Sequence, residues 1–246
     1  MTEDEAFVRA VVSSRGDDTP RLAYADWLDD RGDPRGPYLR AEFGATDRDA
    51  AQLREVAICL DPVWVVRVSR PPIGVCCDDF AWSATGEAVG SEDLDRFERR
   101  FGVTLPVPYR AFLLNTNGGT VALDPLPSPT GTKVRSCGFH SLAKTTHDDH
   151  EGSLEYEFAV TRHSLYHRTR RRDAEYHVRL LRHMIIGWAP GRTMWVVLGF
   201  EGPSTGRVRF LDMARGSPPG REGVIEPGGW FDSLPDYLAA LIAPRV

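Results

Sequence analysis

Lysine is almost missing from this chain. Only Lys133 and Lys144 carry it, so nearly all of the 30 basic residues are arginine. That bias points to a GC-rich genome rather than to a function. Cysteine is scarce too: Cys59, Cys76, Cys77 and Cys137, with no CxxC. An adjacent pair such as Cys76-Cys77 strains badly if bridged to itself, and the spacing matches no usual zinc set. Reduced, partly buried thiols are expected. No apolar run approaches the ~18 residues of a membrane span; the longest, around Met194 to Phe200, is strand-sized. The start MTEDEAF is acidic and lacks the basic-then-apolar layout of a signal peptide, so a cytoplasmic location is expected. The net charge of -5 removes any bulk pull toward nucleic acid or anionic membranes. GxSxG, P-loop and HExxH motifs are all missing, as are internal repeats and low-complexity tails.

What is present describes an ordinary soluble protein, 41% apolar and 26% charged. Its 246 residues suffice for one large domain or two small ones. The first ~45 residues read as short helices. Thr2 and Glu5 have capping-box spacing, with Phe7, Val8 and Val11 on one face. Thr19 caps a second helix that has Pro20 at its first position and Gly32 at its end. A third carries Tyr38, Leu39 and Phe43, and residues 47–60 suggest a fourth. Trp64 to Val68 alternates weakly, as a strand does, before Pro71-Pro72 and Gly74 break it. The expected division is a helical module at 1–45, a connecting helix and strand at 46–74, and an α+β domain at 75–246.

The stretch FGVTLPVPYRAFLLNTNGG, residues 101–119, has a specific grammar. Gly102 stops a helix that runs from Ser91 through Leu94, Phe97 and Phe101. Residues before Pro106 and Pro108 are pushed into extended conformations. Tyr109, Phe112 and Leu113 form the buried face of a second helix. Asn117, Gly118 and Gly119 supply left-handed conformations that end it and turn the chain. Downstream, residues 120–123, 135–142, 183–188, 193–200 and 207–212 read as strands, with Pro190-Gly191 as a turn. Short loops imply an antiparallel meander. Residues 213–229 are a Gly/Pro-rich loop, and a final helix carries Leu234, Leu238 and Leu241 behind Phe231.

The order Leu94, Phe97-Glu98, Phe101-Gly102, Leu105-Pro106, Tyr109, Phe112-Leu113, Asn117-Gly118-Gly119 resembles the signature of the SUKH superfamily, named partly after a yeast cell-wall synthesis regulator. Ile185-Ile186-Gly187, the strand at 194–198 and the final helix continue the likeness. The resemblance implies an α+β fold, a twisted antiparallel sheet packed with helices. In bacteria it implies a non-catalytic immunity protein or antitoxin that binds and neutralises a toxin, often a nuclease. A second likeness lies at the N-terminus. Asp17-Asp18-Thr19-Pro20-Arg21-Leu22 and Tyr24-Ala25-Asp26-Trp27-Leu28-Asp29-Asp30-Arg31-Gly32-Asp33-Pro34-Arg35 look like the repeat-companion domain of planctomycetes. Gly36-Pro37-Tyr38-Leu39-Arg40 departs from that pattern, and no activity comes with the likeness.

Four groups of residues invite a chemical reading. The acidic residues Asp148, Asp149, Glu151, Glu155 and Glu157, with Trp188, are the expected partner-binding set, suited to a basic toxin. Arg168, Arg170, Arg171 and Arg172 lie in an arginine-rich run, residues 162–182, with Tyr166 and Tyr176 interleaved. They carry the alternative, a nucleic-acid-associated regulator, although such a run is often simply exposed. Cys137, His140, His147 and His150 form a conceivable zinc site for a metal-dependent hydrolase. Tetrahedral sites usually show clearer ligand pairs, so a solvated loop is preferred and no metal or cofactor is expected. His163 and His167 share a face if helical, and a surface pair is the simpler account.

Overall fold

The structure, a computed structural model, describes residues 1–14, 16–44, 50–77, 82–127, 133–143, 153–168, 182–188, 194–212 and 230–242. It is α+β. Helices α1 (Glu3–Ser13), α2 (Thr19–Asp29), α3 (Arg35–Phe43), α4 (Ala50–Val56) and α5 (Pro62–Val68) come first. Then follow β1 (Trp82–Ser83), α6 (Ser91–Phe101), α7 (Val107–Asn115), β2 (Gly119–Pro127), β3 (Lys133–Phe139) and α8 (Leu154–Arg168). The chain continues as β4 (His183–Trp188), β5 (Met194–Gly199), β6 (Val208–Asp212), β7 (Trp230–Phe231) and α9 (Leu234–Ile242). The strands form one antiparallel sheet whose spatial order is the chain order, β1 to β7. The meander read from short loops is therefore observed.

Side-chain caps mark several helix starts. The Thr2 hydroxyl accepts from Glu5 N–H, as expected. The Glu5 carboxylate does not return the bond; it grips Arg67 instead. The second helix starts one residue earlier than a Thr19 cap would require, with Asp18 at the cap position. On the third helix Phe43 is exposed, whereas Tyr38 and Leu39 are buried. The expected fourth helix is cut short, with a 3-10 turn at Ala57–Cys59.

The weak strand expected at Trp64 to Val68 is a helix, and the reason is local. The Asp61 carboxylate accepts from Val63 N–H at 3.0 Å, and Pro62 occupies the first helical position, where its missing N–H costs nothing. Trp64, Val65 and Val68 face one core while Val63 and Val66 face another. Burial on two sides makes the helix apolar around most of its girth, which removes the 3.6-residue stripe that would have revealed it.

Two hydrophobic cores result. One gathers Val8, Val11, Tyr24, Leu28, Tyr38, Leu39 and Trp64 under the N-terminal helices. The other lies between the sheet and helices α6, α7, α8 and α9. They share more than α5. In the extended segment 75–77, Val75 and Cys77 enter the second core and Cys76 enters the first. Val75 N–H donates to Val66 O and Cys76 N–H to Ser69 O, so this segment is bonded along α5. Arg67 joins both sides: its terminal nitrogens donate to Glu5 at 2.9 Å, its Nε donates to Asn115 Oδ1 at 3.0 Å, and Asn115 Nδ2 donates back to Arg67 O at 2.8 Å. The Arg67 hydrogen bond holds the Glu5 carboxyl below its ordinary value. Beneath them, Arg21 is buried and donates to Glu42 Oε2 at 2.7 Å and to Val68 O at 2.6 Å.

Two outcomes are expected. Arg21→Met leaves the Glu42 carboxylate buried without its partner and should cost about 3–5 kcal/mol in urea unfolding. Pairing it with Glu42→Gln should recover part of the loss, and a single variant within about 0.5 kcal/mol of wild type would contradict the buried-pair account. Secondly, Cys76 and Cys77 report on different cores although they are neighbours. In chains keeping only one of the two thiols, urea midpoints from thiol labelling should coincide; separated midpoints would mean the cores unfold independently.

Candidate partner-binding face

The sheet has two unlike faces. Val121, Cys137, Phe139, Met184, Ile186, Val196, Leu198 and Val208 face the core against the helices. Alternation along each strand sends their neighbours to the opposite face. Register fixes who stands beside whom there. Gly138 pairs with Trp188, and Trp188 with Trp195. In the next row Ile185 pairs with Val197, and Val197 with Arg209. A bulge between Ile185 and Gly187 lets Ile186 stay in the core while Trp188 returns to the outward row.

The centre of this face is aromatic. The His140 ring lies 5.1 Å from the Trp188 ring and 6.3 Å from the Trp195 ring, nearly parallel to the latter. Gly138 is required beneath Trp188: a Cβ there would overlap the indole. Trp188, Trp195, Ile185 and Arg209 are half-exposed, whereas His140 and Val197 are buried between them. Burial, and then the neighbouring Arg207 charge, lower the Arg209 guanidinium to about 10. Arg207 donates to Asp232 at 2.8 Å.

The signature residues of 101–119 are structural. Leu105, Tyr109, Phe112 and Leu113 are core residues, and Pro106 is the cap of α7. Asn117, Gly118 and Gly119 all have positive φ, at 47°, 76° and 111°. Asn117 is buried and its amide bonds Glu87 O, Leu142 O and Leu142 N–H, stapling two loops to the turn. Glu98 accepts from Leu105 N–H and from Arg110. With this geometry in hand, the comparison with known families is informative. Residues 88–202 match the SMI1 / KNR4 family (SUKH-1). The match supports a SUKH domain over that stretch, which runs from the entry to α6 through β5. No curated protein matches the chain.

Within and beside this SUKH stretch the sequence-based sites fare unequally. Trp188 lies on the outward sheet face. Glu155 is turned inward: it is 5% exposed, and both carboxylate oxygens accept from Ala143 N–H at 2.9 and 3.1 Å. A carboxylate spent on a buried amide presents no charge to a partner, so its place in the acidic set is corrected. Glu157 is half-exposed on α8. Asp148, Asp149 and Glu151 lie outside the described residues, as do Arg170, Arg171, Arg172, His147, His150 and the Pro190-Gly191 turn. Arg168 ends α8, as far as its backbone shows, and His163 and His167 share that helix. Arg162 is used structurally: it donates to Phe101 O at 2.9 Å and stands over the Phe158 ring.

Cys137 and His140 do not converge. The Cys137 side chain enters the core beside Tyr237 while His140 meets the outward tryptophans. Burial pushes the Cys137 thiol up to about 12. Among the described residues, no group of three or more His, Cys, Asp or Glu could hold a metal. All four cysteines are free thiols, with Cys59 exposed. A cavity of about 520 Å³ lies at the seam of the two cores, walled by Asp4, Arg35, Glu5, Arg67, Trp64 and Ser91. Around it Arg35 pairs with Asp4 and with Asp33, and Arg67 with Glu5.

Trp195, Ile185 and Arg209 were not read as a set from the sequence. The signal was there: Val196 and Leu198 as core residues oblige Trp195 and Val197 to face the other way. Gly138→Ala should displace Trp188 and cost about 1–3 kcal/mol, with a shifted tryptophan emission. An unchanged emission and melting point would mean that Trp188 does not rest on Gly138.

Proposed function

We propose that the chain is a non-catalytic protein-binding module, an immunity protein or antitoxin of SUKH type that acts in the cytoplasm by occluding a toxin. The observation that carries this reading is the cluster Trp188, His140 and Trp195 with Ile185 and Arg209 on the sheet face opposite the helices. Half-exposed aromatics and arginine around a buried centre are the residue types that carry interface energy. The family match lends the class of function, since a fold alone does not assign one. The core face is occupied by packing, and Arg162 of the arginine run donates to Phe101 O. The N-terminal helices, read as a repeat-companion module over 1–45, pack against α5, whose other side faces the core of the SUKH stretch. No described helix is long and apolar enough to cross a membrane.

The test is site-specific photocrosslinking in the native host. A benzophenone amino acid replaces Trp188 in one chain and Ile58, exposed on the N-terminal helices, in another. One polypeptide should be captured from position 188 and not from 58. Expressed alone, that polypeptide should arrest growth, and co-expression of this chain should relieve it. Equal capture from both positions, or a captured chain that harms nothing, would sink the immunity reading.

A further inference from the structure

We propose that Asn117 is a latent modification site, closed by the fold, at which lasting opening of the α7–β2 corner is recorded as irreversible deamidation. The site lies in the corner and is independent of what the sheet face binds.

Side-chain carboxamides are nearly absent from the chain: Asn115, Asn117 and Gln52 are the only three. Asn117 alone is followed by glycine, and no Asp-Gly pair occurs. An Asn-Gly pair is the arrangement most open to imide formation, because no side chain on the following residue shields the attacking nitrogen. Asn115 precedes Thr116, whose branched Cβ does shield it. In the reaction the Gly118 nitrogen gives its proton to water and bonds to Asn117 Cγ. The Cγ–Nδ2 bond breaks, and Nδ2 leaves as ammonia. Water then opens the cyclic imide at either carbonyl, giving aspartate or isoaspartate. Asparagine and water become a carboxylic acid and ammonia, and nothing is oxidised or reduced.

The fold needs both residues that create this hazard. Asn117 has φ 47°, in the left-handed region that asparagine tolerates well. Its amide donates and accepts at once. Nδ2 donates to Glu87 O at 2.7 Å and to Leu142 O at 3.1 Å, and Oδ1 accepts from Leu142 N–H at 2.8 Å. Glycine lacks those bonds, and aspartate lacks the donor. Gly118 has φ 76°, and a Cβ there would lie 2.7 Å from the carbonyl carbon and oxygen of His140. A shielding side chain after Asn117 is therefore excluded, and protection falls to the fold. Asn117 is buried, and because the reaction expels Nδ2, its bonds to Glu87 and Leu142 must be given up.

The product cannot resume the same place. A carboxylate there sets its oxygens against the Glu87 and Leu142 carbonyls and buries a charge that has Leu142 N–H as its donor. Gly118 backs onto His140, whose ring lies beside Trp188 and Trp195. A corner that stays open thus withdraws support from the outward tryptophans.

The test follows the intact mass of the full-length chain in mildly alkaline buffer, native and in urea above its unfolding midpoint. In urea the chain should gain the mass of one NH2-to-OH exchange, and fragmentation should place it at residue 117 as aspartate and isoaspartate. The native chain should react at least about tenfold more slowly, a ratio that reports how seldom the corner opens. After urea is removed, the modified chain should not regain the native tryptophan emission or melting point, whereas a chain exposed only briefly should. Equal rates with and without urea would overturn closure by the fold. A first gain at Asn115, or none in urea, would overturn the assignment of the site. A modified chain that refolds and melts like wild type would overturn the irreversibility. Should brief urea itself prevent refolding, the chain aged in native buffer decides: its converted fraction should melt below the remainder, and equal melting would overturn the irreversibility.

Discussion

The structure depends on one shared boundary. Helix α5 has no solvent side to spare: Trp64, Val65 and Val68 serve one core, Val63 and Val66 the other. The segment 75–77 repeats the arrangement in extended form, its side chains alternating between cores as strand geometry demands. Arg67 then ties the first helix to the last turn of α7 through two partners that lie far apart in sequence. Everything downstream inherits this. The end of α7 sets where Asn117 turns, and Asn117 sets where β2 starts and where the loop at Leu142 is held.

From that corner the sheet runs outward strand by strand, and its two faces divide the labour. The helices claim one face and leave the other to tryptophan, histidine and arginine. Glycine decides the detail. Gly138 lets an indole lie against the backbone, and at Gly187 a side chain would strike the Gly138 carbonyl. The bulge beside Gly187 keeps Ile186 in the core without costing Trp188 its outward position. A packed scaffold and a presented surface are thus two consequences of one register.

Legibility in the sequence follows the range of the physics involved. Elements governed by local rules were readable: prolines, capping residues and the left-handed triplet at Asn117 announced α7 and its end, and short strand-sized segments rich in β-branched and aromatic residues announced β4, β5 and β6. Helix α5 was misread because burial on both sides erased its stripe. Glu155 was misread because its environment is a backbone amide twelve residues away, and charge alone suggests a surface. The outward face was half-legible. Trp188 was singled out, but its neighbours depend on strand register, which arises only when Gly138, Trp195 and Arg209 are placed side by side.

The order of the strands has a consequence for how the chain is made. In a sheet whose neighbours in space are neighbours in sequence, each new strand finds its template already in place, so the second half can assemble while it is being synthesised. The first half enjoys no such privilege. Its core closes only when Trp64, Val68 and finally Cys76 have emerged, and Arg67 finds Asn115 later still. The nascent N-terminal helices must therefore wait, with apolar surface showing, for residues that belong to the next module.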